Sequence, residues 1–395
     1  MTILIIESNT VHTNGSTGDQ TGIHCTTCPA AIVRYNLSYG QSASGAVGGH
    51  GIQLDTDSDG AVAYYNICYG NDGGAISVVD SAAVEIYNNV GYDNGQVCTT
   101  EGGISLLGPV QDATTATVYN NIMYANNNSY AIYLDSATAN NTLDIDTNIW
   151  YKAAGNWYYD GSSGGATLAT WNALSYVGTD LNADPLMTDP ASDDFTLQIT
   201  SPCIDAGIPV YIDNIVTNDS FEDEDDWVDY GTGPTHSRGN THVHSGTYSW
   251  DVLTGDADSG IQADTDVYGT ITAGKFYEVS IWIYCSGGDT TATYGITDDG
   301  TGVLATSSST VALTNGNWSH GTFVSECTTT GTARPFMSGS GTAWALTVDD
   351  FTIKERIESD YAGNVVTPPP HIGAYEDLVR SGYGDWHMDM SMGMN

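Results

Sequence analysis

The chain is poor in positive charge. Only 8 Lys and Arg stand against 48 Asp and Glu in 395 residues, a formal net charge of -40. A surface of that sign repels phosphate backbones and anionic bilayers, which argues against nucleic acid or membrane partners. It also repels uronate polysaccharides unless a cation bridges them. No apolar run approaches the ~18 residues that a membrane-spanning helix needs. The opening Met1-Thr2-Ile3-Leu4-Ile5-Ile6-Glu7 has neither a basic n-region nor a small-residue cleavage site, so it does not read as a secretion signal. Export by another route, a fragmentary chain or release by lysis are the expectations left.

Cysteine is also scarce. There are seven, an odd number, so at least one thiol has no partner within the chain. Cys25 and Cys28 form one CxxC with no second pair at zinc spacing, which is weak evidence for a metal. Cys285 and Cys327 lie in two strand-like segments and are candidates to pair.

Leu, Ile, Val and Phe sum to roughly a fifth of the residues, near the level at which high net charge suggests disorder. The regular spacing of those residues argues for a folded β protein instead. One frame recurs as Asn36-Leu37-Ser38-Tyr39, Asn66-Ile67-Cys68-Tyr69, Asn89-Val90-Gly91-Tyr92, Asn121-Ile122-Met123-Tyr124 and Asn148-Ile149-Trp150-Tyr151. A second runs in phase with it, as Gly51-Ile52-Gln53-Leu54, Ala75-Ile76-Ser77-Val78, Gly103-Ile104-Ser105-Leu106 and Ala131-Ile132-Tyr133-Leu134. Short alternating segments rich in β-branched residues, separated by Gly, Asn and Asp, are strand chemistry with tight corners. Three such strands per repeat predict a parallel β-solenoid, with aliphatic side chains stacked inside and Asn amides laddered at one corner.

The pattern resembles the right-handed parallel β-helix superfamily, the scaffold of pectate lyases, polygalacturonases and phage tailspikes. The matching residues are architectural, so the likeness speaks for fold rather than activity. Beyond the coils, Asp184-Pro185-Leu186, Asp194-Phe195-Thr196-Leu197 and Ser201-Pro202-Cys203-Ile204-Asp205-Ala206-Gly207, with the later Ile372-Gly373-Ala374-Tyr375-Glu376, look like the closing segment of secreted β-helix proteins. About 150 residues separate the two parts, and His371 stands where Asp is usual. The expectation is an all-β chain: a right-handed parallel β-helix over residues 1–213, an antiparallel sandwich over 214–358 inserted in the closing segment, its return over 359–382, and a Met-rich tail over 383–395.

Residues 214–358 resemble the jelly-roll carbohydrate-binding modules attached to glycan-active proteins. The resemblance rests on Asn218-Asp219-Ser220-Phe221-Glu222, on Ala273 to Tyr284 and on Val348-Asp349-Asp350-Phe351-Thr352-Ile353. Within Val279 to Tyr284, alternation sends Val279, Ile281 and Ile283 to the core and Ser280, Trp282 and Tyr284 to the other face. Trp282 and Tyr284 are therefore candidates to stack on sugar rings, unless a loop covers them; Trp318 and Trp227 are further candidates. Trp250, alternating with Tyr248 and Val252, reads as core. The resemblance also implies a structural calcium joining first and last strands, with Glu222 and Asp349 as ligands.

Asp55, Asp57, Asp59 and Gly60 match the start of a calcium loop, but Asn66 at the twelfth position excludes an EF-hand. A looser calcium corner or a solvated turn remains. Gly49-His50-Gly51 beside these acids is similar to polygalacturonase-type hydrolases, which makes His50, Asp55 and Asp57 the alternative catalytic set. The other signatures of that family are absent. The sequence-based expectation is a non-catalytic exterior protein, a virion appendage or decoration subunit, contacting glycans through its sandwich. A secreted polysaccharide-active enzyme and a bacterial surface adhesin are the alternatives. The alternation of Trp386, Met388, Met390, Met392 and Met394 in the tail suggests a strand for homo-oligomer or subunit docking.

Overall fold

The computed structural model describes residues 4–376 apart from 15–19, 44–47, 99–100, 109–114, 126–128, 136–141, 210, 217–219, 223–225, 256–258, 265–268, 299–305, 340–343, 358–359, 363–365 and 367–369. The Met-rich tail and its docking role lie outside these residues. The chain divides into two compact units, 1–209 with 359–395, and 210–358.

The first unit is a parallel β-solenoid of about five turns over residues 5–160. Three parallel sheets form its walls. One runs from Ile5–Glu7 to Leu143–Asp146, one from Thr10–His12 to Ile149–Lys152, and one from Ile23–Thr26 to Tyr158–Asp160. Equivalent residues pair in register from coil to coil, as Ile52 with Ile76, Ile76 with Ile104 and Ile104 with Ile132. These isoleucines are fully buried, because the inward set of each strand repeats at the same phase.

The Asn frame forms the expected ladder. The backbone N–H and the side-chain amide of Asn66 both donate to Asn89 Oδ1, at 2.9 and 3.0 Å. Asn89 repeats this toward Asn121, and Asn121 toward Asn148. Asp180 ends the ladder, accepting from the N–H and amide of Asn148. Its second oxygen accepts the indole N–H groups of Trp150 and Trp171, at 2.6 and 2.8 Å. The chain thus covers its last coil with Trp171, packed against Trp150 and Trp157.

All coils are complete before the second unit begins. The sandwich follows the solenoid and interrupts none of its coils, so it is not inserted in the solenoid itself. The short stretch after it belongs to the first unit: Ile372 N–H donates to Cys203 O, and Gly373 N–H to Asn120 O.

The second unit pairs two antiparallel sheets. One orders its strands Thr235–Gly239, Ser249–Leu253, Ala345–Arg356, Phe276–Ser286 and Trp318–Glu326, with Tyr211–Asn214 also on Ala345–Arg356. The other orders Trp227–Tyr230, Gly260–Ala263, Gly331–Gly339, Thr290–Asp298 and Ser307–Leu313. Val279, Ile281 and Ile283 are fully buried between them, as alternation requires, and Trp250 is buried too. Pairing of Cys285 with Cys327 is corrected. Tyr284 lies opposite Trp318 and Phe276 opposite Glu326, so the two thiols sit at opposite ends of one strand pair, roughly 30 Å apart at the rise per residue of a strand.

Candidate functional site

The outer face of the Phe276–Ser286 sheet carries the site. One row of paired residues crosses five of its six strands: Ser237 with Asp251, Asp251 with Thr347, Thr347 with Tyr284, and Tyr284 with Trp318. In the same sheet Trp282 lies between His320 and Asp349.

Imidazoles stack on these aromatics. His244 lies 3.9 Å from Trp282 between ring centres, with planes 18° apart, and His320 lies 4.5 Å away at 19°. His320 comes from the neighbouring strand on one side of Trp282. His244 is held from the other side, where its N–H donates to Asp349. The indole is therefore sandwiched between two imidazoles. His242 stacks on Tyr284 at 4.0 Å, and Trp318 meets Tyr284 edge-tilted at 5.7 Å. The faces of Trp282 are covered and its edge is what the surface presents; sequence alternation had assigned it correctly to the outer side. Three ring pairs at i, i+2 build the cluster, His242/His244, Trp282/Tyr284 and Trp318/His320. That spacing was legible in the sequence, but the two loop histidines went unread.

A β-bulge aims the loop. Ser280 pairs with Thr352, yet Trp282 pairs with Asp349, so Asp350 is the extra residue on its strand and sits at φ +48°. The bulge turns two consecutive carboxylates onto residues 244–245. Asp349 Oδ2 accepts the N–H groups of His244 and Ser245, at 2.8 and 3.1 Å. Asp350 bonds the His244 ring at 2.6 Å and the Ser245 hydroxyl. Glu222 holds the far side of the loop, accepting from Thr247 and Tyr248 N–H at 2.7 and 3.0 Å. Gly246 lies between them at φ +68°, where a Cβ would meet Glu222 Oε1 at 2.3 Å. Burial pushes the Asp349 carboxyl up to about 6 against the pull of those amides. The Thr247 and Tyr248 amides hold the exposed Glu222 carboxyl below its ordinary value.

Beside the ring cluster a groove of about 440 Å³ opens over the outer face, lined by Ser237, His242, Asp251, Leu253, Ser286 and Thr347. Its polar lining is short hydroxyls, the imidazoles of His236 and His242 and one carboxylate, with Thr347 donating to Asp251 at 2.8 Å. Hydroxyls and carboxylates beside rings suit sugar OH groups on one side and sugar CH groups on the other.

Trp227 does not join the site. It is buried in the core against Phe221 at 4.6 Å and Phe351 at 5.7 Å, which corrects its assignment as a binding residue. The reason is positional: Trp227 opens its strand on the inner side, opposite the buried Ala263. Glu222 and Asp349 do converge on one loop, as the calcium expectation required, but they meet amide protons there rather than carbonyl lone pairs.

The alternative catalytic set is not assembled. His50 is buried; its Nδ1 accepts Gly74 N–H at 3.0 Å and its Nε2 faces Glu101 at 3.4 Å. Asp55 bonds His24 at 3.0 Å, Asp59 accepts Ala82 N–H at 2.7 Å, and Asp57 occupies a turn at φ +59°. The acids gather at the corner that ends the Ile52–Asp55 strand, whereas His50 is buried before that strand begins. Among the described residues no group of three His, Cys, Asp or Glu is arranged to hold a metal ion. Among them also, no helix is long and apolar enough to cross a membrane.

A two-sheet sandwich with a ring-lined outer face and an adjoining polar groove is the architecture of a glycan-binding module. Residues 213–334 match the carbohydrate binding domain family CBM_4_9, and the second unit is a carbohydrate-binding domain. Among solved structures, the CBM22-1 xylan-binding domain from Paenibacillus barcinonensis Xyn10C is similar at 17% identity, covering 38% of this chain and 96% of that one, with a TM-score of 0.30. TmCBM61 in complex with beta-1,4-galactotriose is similar at 21% identity, covering 36% and 98%, with a TM-score of 0.28. The C-terminal family 22 carbohydrate binding module of Clostridium thermocellum Xyn10B is similar at 15% identity, covering 40% and 96%, with a TM-score of 0.29. TM-scores this low carry no inference about the ligand of this chain. No curated protein matches it.

Proposed function

We propose that the protein is a non-catalytic, exterior glycan-binding protein that holds a neutral polysaccharide across the outer face of its sandwich, with the solenoid as a stiff spacer. The observation that carries the reading is the row from Ser237 through Asp251, Thr347 and Tyr284 to Trp318, which joins a hydroxyl-lined groove to an aromatic edge. A net charge of -40 selects against uronates and for neutral chains. In the same reading the tail, residues 383–395, has a role in docking to a second subunit. A structural calcium at the Glu222–Asp349 pair is left out of the proposal, because it would have to displace the amides of four loop residues.

The test is affinity electrophoresis of the full chain in gels containing xylan, galactan, glucan, mannan or polygalacturonate, with reducing ends assayed in parallel. Retardation by a neutral polysaccharide but not by polygalacturonate, without release of reducing ends, is the expected result. Absence of retardation by every neutral polymer, or cleavage that a His50→Ala variant loses, overturns the reading.

A further inference from the structure

Cys25 is the third residue of the Ile23–Thr26 strand, and its side chain lies in the solenoid core, 1% exposed. The strand ends at once, because Thr27 adopts φ +55° and turns the chain back. That turn brings Cys28, two residues beyond the strand's end, against the same core cluster, half-buried at its rim. Cys28 thereby adjoins the Cys25 thiol at that end of the core. Cys28 also donates to Thr26 O at 3.3 Å, so its sulfur is held over the strand end rather than swung to solvent.

We propose that Cys25 and Cys28 are a disulfide-forming pair that staples the first complete coil. A small-molecule disulfide such as oxidised glutathione is the oxidant. The Cys28 thiolate attacks one of its sulfurs, breaking that S–S bond and expelling one thiolate, which takes up a proton. Cys25 then loses its proton and attacks the Cys28 sulfur, expelling the second thiolate and closing the intramolecular bond. Two protein thiols lose two electrons and two protons, and one small disulfide becomes two thiols.

The order follows from access, since only Cys28 reaches the surface. Burial, with Cys28 alongside, pushes the Cys25 thiol up to about 11, the reverse of the lowered value that marks redox-catalytic CxxC motifs. A thiol of that kind is a poor leaving group, and its sulfur is shielded from attack. The bond therefore closes slowly and, once closed, resists reopening. That is a structural staple rather than an exchange catalyst. The pair leaves the other five cysteines in their separate environments.

The experiment incubates the full chain with oxidised glutathione or with dithiothreitol, denatures it, alkylates with iodoacetamide and maps the peptides by mass. The expected oxidised sample has the Cys25–Cys28 peptide unalkylated and about 2 Da lighter than its reduced form, with the other five cysteines alkylated. In Cys25→Ser, Cys28 is expected to carry glutathione as a trapped mixed disulfide; in Cys28→Ser, Cys25 is expected to be alkylated. Should Cys25→Ser fail to fold, the rim variant Cys28→Ser and the parent suffice. Alkylation of both cysteines after oxidation, or bridging of either to a different cysteine, overturns the proposal.

Discussion

The imidazole of His244 lies flat on the indole of Trp282, with ring centres 3.9 Å apart and planes 18° apart. His320 covers the opposite face, so the residue best placed by sequence to stack on a sugar spends both faces on the protein itself. What the surface offers a glycan is the rim of this stack, together with Tyr284, Trp318 and the groove beside them.

Removing the centre of the stack should remove binding. Trp282→Ala frees both imidazoles and opens the outer face, and it is expected to weaken neutral-glycan affinity at least tenfold, about 1.4 kcal/mol. His244→Ala uncovers one indole face and loosens the loop; a smaller loss, about 0.5–1.5 kcal/mol, is expected. Trp227→Phe, in the core, is expected to lower stability while leaving affinity per folded molecule unchanged. Calorimetric titration of the full chain with the retarding polysaccharide checks all three.

The Asp349 carboxylate is the buried anchor of the 244–245 loop. Asp349→Asn exchanges an acceptor for a donor facing amide protons and is expected to cost about 1–3 kcal/mol. Glu222→Gln, at an exposed carboxylate, is expected to change thermal stability little. Because amides already face both acids, EDTA is expected to leave the sandwich melting temperature unshifted; a drop of several degrees that calcium restores would establish the ion at this pair. Calorimetric melts with and without EDTA decide it.

Three buried carboxyls make stability depend on pH in an unusual direction. Burial pushes Glu376 up to about 8 and Glu101 up to about 7, and Asp349 up to about 6. Asp360 and Asp205 face Glu376, while His371 beside it is lowered by its own burial. An acid whose folded value lies above its unfolded value near 4 binds its proton more tightly in the native state. Its stabilisation is complete below the unfolded value and is lost as pH rises through the folded one. Melting temperature is therefore expected to fall from about pH 5 to about pH 8.5, and Glu376→Gln with Glu101→Gln is expected to flatten that fall. A melting temperature that rises across this window would contradict the assignment.

The Asn ladder should be most sensitive at its middle. Asn89→Ala removes the acceptor for two donors of Asn66 and the amide that serves the carbonyls of Ala63 and Tyr87. With buried groups costing about 1–3 kcal/mol each when unmet, a loss of at least about 3 kcal/mol is expected. Asn9→Ala, at the exposed end, is expected to cost under about 1 kcal/mol. Guanidinium unfolding of the solenoid transition measures the difference.

Whatever repeats or alternates could be read from the sequence alone. The Asn frame at intervals of 23–32 residues determined the coils and their corner ladder, because each coil must meet the same hydrogen-bonding need in the same place. Period-two alternation determined that Val279, Ile281 and Ile283 face inward and Trp282 and Tyr284 outward, since a strand has only two faces. The resemblance carried by residues 214–358 led to the same sandwich. Which residues cover an outward face was a tertiary decision. His244 reaches Trp282 across 38 residues, through a bulge at Asp350 that lies a further 68 along the chain, and no local period encodes that meeting. Trp227 likewise opens a strand, where alternation has not yet set a phase, and only packing against Phe221 and Phe351 decided that it is core. His50 and the Asp55–Asp59 acids are neighbours in sequence but serve different partners, because the Ile52–Asp55 strand runs between the buried imidazole and the corner that carries the acids.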